Sequence, residues 1–103
     1  MIDLAALSDI PDPGVLSVRW DGRAICLVRV GNQVSAFVDE CPHAGMPLSE
    51  GEVVGGCELE CSWHGARFDC ASGALLHGPA GEGLVAVPVR VVDGRVLGDR
   101  VET

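Results

Sequence analysis

Short runs of alternating apolar residues, cut at close intervals by turn dipeptides, dominate both ends of the chain. Asp21-Gly22, Gly31-Asn32 and Asp93-Gly94 each lie between runs rich in valine and isoleucine. A two-residue Gly/Asn/Asp connection between such runs signals a tight β-hairpin, because these residues reach the positive φ that primed turns require. The pattern predicts strands over about residues 15–20, 23–30, 33–38, 84–91 and 95–97. Alternation is clearest in Val85-Ala86-Val87-Pro88-Val89-Arg90-Val91, whose odd positions would face a core. Pro88 has no N–H to give, so it marks an edge or the start of pairing. Residues 3–7 read as one frayed turn or an edge strand, and no helical period of useful length appears. The prediction is an all-β fold, with antiparallel sheets in a small sandwich or barrel.

Residues 40–80 break this rhythm and are rich in Gly, Cys, His and Pro. A long irregular insertion in a compact β domain is usually functional. With 103 residues and no repeat or linker, the chain reads as a single domain, 1–103. Its β base would lie at about 1–39 and 81–103, with an inserted region of loops at about 40–80. A catalytic domain plus a cofactor domain does not fit in this length.

Charge narrows the partners. The net charge is −8, and all seven fixed cations are arginines. Binding nucleic acid means neutralising phosphates, so this balance argues against it, and against anionic membranes. It fits a partner with a basic docking face, and equally a surface that only keeps the protein soluble. Met1-Ile2-Asp3 opens no signal peptide, and no stretch approaches the roughly 18 apolar residues of a membrane span. A cytoplasmic protein is expected, whose five cysteines would be reduced, metal-bound or catalytic.

Two motifs in the insertion carry chemistry: Cys41-Pro42-His43-Ala44-Gly45 and Cys61-Ser62-Trp63-His64-Gly65. Each offers one thiolate and one imidazole, and a glycine soon after the histidine lets the backbone bend around something held there. Tight loops of this kind can aim backbone N–H groups at an anion such as a bridging sulfide. The same four donors could make a Cys₂His₂ zinc site, although zinc fingers usually pair Cys with Cys and His with His. The mixed loops suit two irons, one taking both cysteines and the other both histidines.

The pattern Cys-x-His, seventeen residues, Cys-x-x-His is similar to the signature of Rieske-type [2Fe–2S] proteins. Leu48-Ser49-Glu50-Gly51 after the first loop resembles the soluble Rieske ferredoxins, as do Arg67-Phe68-Asp69 and Ser72-Gly73 after the second. Gly78-Pro79-Ala80 looks like the proline-bearing loop that covers the cluster in that family. The resemblance runs on to Pro88–Gly94 and implies the Rieske fold, with one [2Fe–2S] cluster per chain. It implies that Cys41 and Cys61 bind one iron through sulfur, and that His43 and His64 bind the other through Nδ1. Two ferric ions, two sulfides and two thiolates sum to zero charge. Such a centre accepts an electron more readily than an anionic Cys₄ cluster does.

Respiratory Rieske proteins carry a further cysteine in each loop, joined by a disulfide; here those positions are Met46 and Trp63. The serine and tyrosine whose hydroxyls donate to cluster sulfurs are replaced by Ala66 and Phe68. These departures point to low potential. Rieske oxygenases need a further 2-His-1-carboxylate triad, and only His77 is left over, so the triad cannot be built and His77 reads as a solvent residue or a neighbour of the covering loop. Cys26 reads as core filler in a strand. Cys57 and Cys70 flank the second loop at comparable distances; a disulfide between them is conceivable if the flanking strands pair as a hairpin, but the expected cytosol favours free thiols. The reading is a monomeric, low-potential one-electron carrier, not an enzyme. It would link a flavoprotein NAD(P)H ferredoxin reductase to a terminal oxygenase, docking over His43, His64, Met46, Pro47, Trp63 and Pro79. A different class, an accessory protein of iron–sulfur assembly or redox sensing, shares similar sequences. A third, the small nitrite reductase component, often lacks the four ligands.

Overall fold

Asp93 and Gly94 both take positive φ, 50° and 75°, the primed-turn geometry whose twist matches that of the flanking strands. Gly22 and Gly31 turn the other two predicted hairpins at φ 77° and 64°. The computed structural model describes residues 2–20, 22–40, 47–55, 57–61, 66–77 and 83–98. Its strands are β1 (Ile2–Ala6), β2 (Gly14–Trp20), β3 (Arg23–Val30), β4 (Gln33–Val38), β5 (Glu52–Val54), β6 (Glu58–Glu60), β7 (Arg67–Asp69), β8 (Leu75–His77), β9 (Val89–Val92) and β10 (Arg95–Gly98), with 3₁₀ turns at Leu7–Asp9 and Leu48–Glu50. The all-β expectation holds. Among the described residues no helix is long and apolar enough to cross a membrane.

The strands form three antiparallel sheets, ordered β1-β10-β9, β2-β3-β4 and β5-β6-β7-β8. Residues 3–6 form an edge strand within β1, whose Ile2 pairs with Gly98 and Ala6 with Arg95, and Leu7 opens the 3₁₀ turn. The strand expected over 84–91 divides at Pro88. Before it, the Val87 N–H donates to the Ala36 carbonyl at 2.8 Å and the Val38 N–H to the Val85 carbonyl at 2.9 Å, so this stretch runs antiparallel alongside β4. After it, Val89–Val92 pairs with β10. Val85 is accordingly 53% exposed, against the expected inward face, while Val87 is buried. Residues 40–80 were expected to be loops, yet they contain the four-stranded sheet β5–β8.

The middle sheet is buried on both faces, which explains the unbroken apolar run Ile25-Cys26-Leu27-Val28 in β3. Ile25, Leu27 and Ala36 pack toward β9 and β10 with Val87 and Val96. Cys26, Val28 and Phe37 face the other way, onto Leu48, Leu59, Cys61, Ala66, Phe68 and Cys70. This second core includes Leu48 and Cys61, which adjoin the candidate ligand loops along the chain.

Candidate metal centre

Of the four candidate ligands, Cys61 lies among the described residues, while Cys41, His43 and His64 lie outside them. Cys61 follows β6 and is 1% exposed, within the second core. Its N–H donates to the Ala66 carbonyl at 2.8 Å, one step beyond the Glu60–Arg67 pair that ends the β6–β7 ladder. The four residues 62–65, His64 among them, therefore connect the two arms of a hairpin closed at Cys61 and Ala66. Glu58-Leu59-Glu60 and Arg67-Phe68-Asp69 each place one apolar side chain between two charged ones, so Leu59 and Phe68 point into the core together. That burial fixes which face Cys61 takes, because side chains alternate along a strand.

The first loop, residues 41–46, leaves β4 through Asp39 and Glu40 and returns at Pro47. Its base is clasped by a single side chain. Asp39 Oδ1 accepts the Ser49 N–H at 2.8 Å, and Oδ2 accepts the hydroxyls of Ser49 at 2.7 Å and Ser17 at 2.9 Å. Beside Ser49, Leu48 is fully buried in the same core as Cys61. A Cβ at Gly51 would run into the Glu60 carbonyl oxygen, so only glycine lets the returning chain lie on β6 just before Cys61. The two loops thus rise from bases packed against each other. Sequence reasoning missed Asp39, which reads there as one more solvated acid.

The expectation of free thiols at Cys57 and Cys70 is overturned: a disulfide joins them, with Cα atoms 5.3 Å apart. Both stand one step beyond the Glu58–Asp69 pair, at the end of the hairpin opposite Cys61, and the ladder brings them together. The Cys70 N–H donates to the Cys57 carbonyl at 3.2 Å. Cys26 is core filler as expected; burial, and secondarily the charge of Asp39, push its thiol far above the ordinary range, so it is no nucleophile. His77 is exposed at the end of the edge strand β8, opposite Arg67. Ala66 and Phe68 are fully buried and offer no hydroxyl toward the Cys61 side of the core. Pro47 is exposed, and the other docking candidates, Met46, Trp63 and Pro79, lie outside the described residues.

These residues fit an iron–sulfur centre. A dry, sulfur-bearing wall and two loops converging at their bases suit a cluster whose bridging sulfides need shielding from water. The donor set of two thiols and two imidazoles matches a centre with unlike irons.

The model of the Rieske [2Fe–2S] domain matches residues 1–89. The ferredoxin component of the naphthalene 1,2-dioxygenase/salicylate 5-hydroxylase systems of Ralstonia sp. is 34% identical over 96 residues, covering 93% of this chain and 91% of that one. Among solved structures, the ferredoxin of carbazole 1,9a-dioxygenase from Nocardioides aromaticivorans IC177 superposes with a TM-score of 0.87 at 28% identity, over 94% of each chain. A chain of the complex of reduced oxygenase and oxidized ferredoxin in carbazole 1,9a-dioxygenase gives 0.85 at 30% identity, over 98% of this chain and 96% of that one.

Proposed function

The chain belongs to the Rieske [2Fe–2S] domain family, and from that premise we propose that it is the ferredoxin component of an oxygenase system. It carries single electrons and transforms no substrate itself. One observation carries this reading: nearly the whole chain, and nearly the whole of each relative, align with ferredoxin components of aromatic oxygenase systems.

When bound, the cluster supplies reversible uptake of one electron. Cys41 and Cys61 hold one iron and His43 and His64 the other, one cluster per chain. The base, about 1–39 and 81–103, supports the cluster-binding region at about 40–80 in a single domain. Ala66 and Phe68, buried and without hydroxyls, leave the cluster sulfurs short of donors and hold the midpoint near the low end of the Rieske range, around −150 mV. The electrons come from a flavoprotein NAD(P)H ferredoxin reductase and go to a terminal oxygenase. Both dock over the loop tips, with the net charge of −8 steering encounter with basic faces. The protein works as a cytoplasmic monomer, away from nucleic acid and membrane.

Iron and acid-labile sulfide analysis of anaerobically purified protein tests the centre. About two of each per chain and a red-brown colour are expected. A colourless protein with one zinc refutes the assignment. Reconstitution with candidate reductases, following bleaching of the cluster, then tests the carrier role.

A further inference from the structure

Asp39 is the one buried charged side chain among the described residues, 9% exposed. Its donors, the Ser49 N–H and the hydroxyls of Ser49 and Ser17, are all neutral. Its own N–H donates to the Ala24 carbonyl at 2.9 Å. One residue therefore ties β2, β3 and the 3₁₀ turn Leu48–Glu50 to the end of β4. An asparagine could close the same clasp, with its carbonyl taking the Ser49 N–H and its amide donating to a hydroxyl. Burying a charge among neutral donors costs more than burying an amide. The clasp alone does not account for the carboxylate.

Location does. Asp39 precedes Cys41 by two residues, so the two Cα atoms lie within about 7 Å whatever the local conformation. Ser49, held by Asp39, adjoins Leu48, which shares a core with Cys61. The charge thus sits at the base of both ligand loops. We infer that Asp39 is a positioning residue for the first ligand loop whose charge also lowers the midpoint potential of the cluster; this rests on the ligand reading above. An added electron is repelled by a fixed negative charge. At about 12 Å and an effective dielectric of about 20, the repulsion changes the equilibrium constant for reduction about tenfold, or about 59 mV for one electron.

The test uses holoprotein of wild type, Asp39→Asn, Asp39→Ala and Ser49→Ala. The readouts are midpoint by protein-film voltammetry, iron and sulfide content, and the rate of iron release to a chelator. Asp39→Asn keeps its cluster and gains about tenfold in the reduction equilibrium. Ser49→Ala leaves the charge in place, releases iron at least threefold faster, and moves the midpoint by less than half as much. Asp39→Ala releases iron faster still. If Asp39→Asn loads no iron, Ser49→Ala decides: faster release with little change in midpoint supports the inference, and release at the wild-type rate overturns it. An Asp39→Asn midpoint equal to wild type overturns the role of the charge, and wild-type retention in Asp39→Ala overturns positioning. Wild-type protein with two irons and two sulfides, whose midpoint and iron-release rate every variant matches, overturns this inference and leaves the ligand reading standing. Wild-type protein without the cluster overturns both.

Discussion

Reducing the Cys57–Cys70 disulfide should destabilise the hairpin that carries Cys61 and His64. The bond spans 13 residues and closes the ladder at the end opposite Cys61. In the chain-entropy account, a cross-link over a loop of that length removes unfolded-state freedom worth about 3 kcal/mol. For a domain of about 100 residues, each kcal/mol moves the melting temperature by about 4–8 °C, so the full effect is roughly 12–24 °C. The assay is thermal unfolding followed by far-ultraviolet circular dichroism, with and without a phosphine reductant, on wild type and on Cys57→Ser/Cys70→Ser. Reductant should lower the wild-type transition by about 10–20 °C and leave the double variant, already melting low, unmoved. The reductant arm matters because serine at Cys70, 3% exposed, adds a buried hydroxyl with a cost of its own. A wild-type transition indifferent to reductant would refute the reasoning. So would alkylation of both thiols in the native, unreduced protein.

Ala66→Ser and Phe68→Tyr should each raise the midpoint, the double variant more than either, by about 40 mV for each 1 kcal/mol of hydrogen bonding gained in the reduced state; voltammetry reads it, and an unchanged double variant counts against the account of low potential. Reduction by the reductase should slow at least threefold between about 0.01 and 0.15 M salt, as the screening length falls from about 30 to 8 Å; stopped-flow rates indifferent to salt remove the steering argument and leave the cluster. Burial, and then the charge of Asp39, raise the Cys26 thiol above its ordinary value of 9.0, so the stability it contributes is complete below that pH and is lost as pH rises past it. Urea titrations between pH 8 and 10.5 should show a falling stability of at most about 1.4 kcal/mol per pH unit from this group, absent in Cys26→Ala.

The hairpins were legible because their turns are local. The ranges 23–30 and 33–38 coincide with β3 and β4, set by dipeptides that specify their own φ angles. The ladder from β5 to β8 escaped notice for two reasons. Each of its strands has three residues, too few for alternation to stand out, and the ligand motifs set the composition around them. Glu58-Leu59-Glu60 and Arg67-Phe68-Asp69 do alternate, and that was the available signal. Pro88 reads in the sequence as an edge or the start of pairing; it also marks where the chain passes from β4 to β10, a change that depends on partners distant in sequence. The disulfide is conceivable from the flanks, but the expected compartment ranks free thiols above it, and the pairing of the two strands reverses that order. The ligand motifs were read at once, since their chemistry is carried by residue type and spacing. Asp39 was not, since only its partners distinguish it from any surface acid.

The two faces of the middle sheet divide the protein's chemistry. Toward β9 and β10, the core is built from Ala5, Ile10, Ile25, Leu27, Ala36, Val87 and Val96, groups that neither bind metal nor change oxidation state. Toward the ligand loops lie Cys26, Cys61 and Cys70, with Cys57 packed against them. Neighbouring residues of β3 serve opposite sides: Leu27 supports the scaffold, while Cys26 and Val28 support the sulfur-bearing wall. An alternating strand can do this only if both of its faces are dry, which is why its apolar run is continuous. The scaffold can then keep its packing while the loop side meets changes in charge and partner. Asp39 stands at the seam, anchored through Ala24 and Ser17 to the middle sheet and through Ser49 to the base of the first loop. An electron carrier needs a centre held still on a support that does not take part in the chemistry. Here that separation is drawn by the alternation of side chains along one strand.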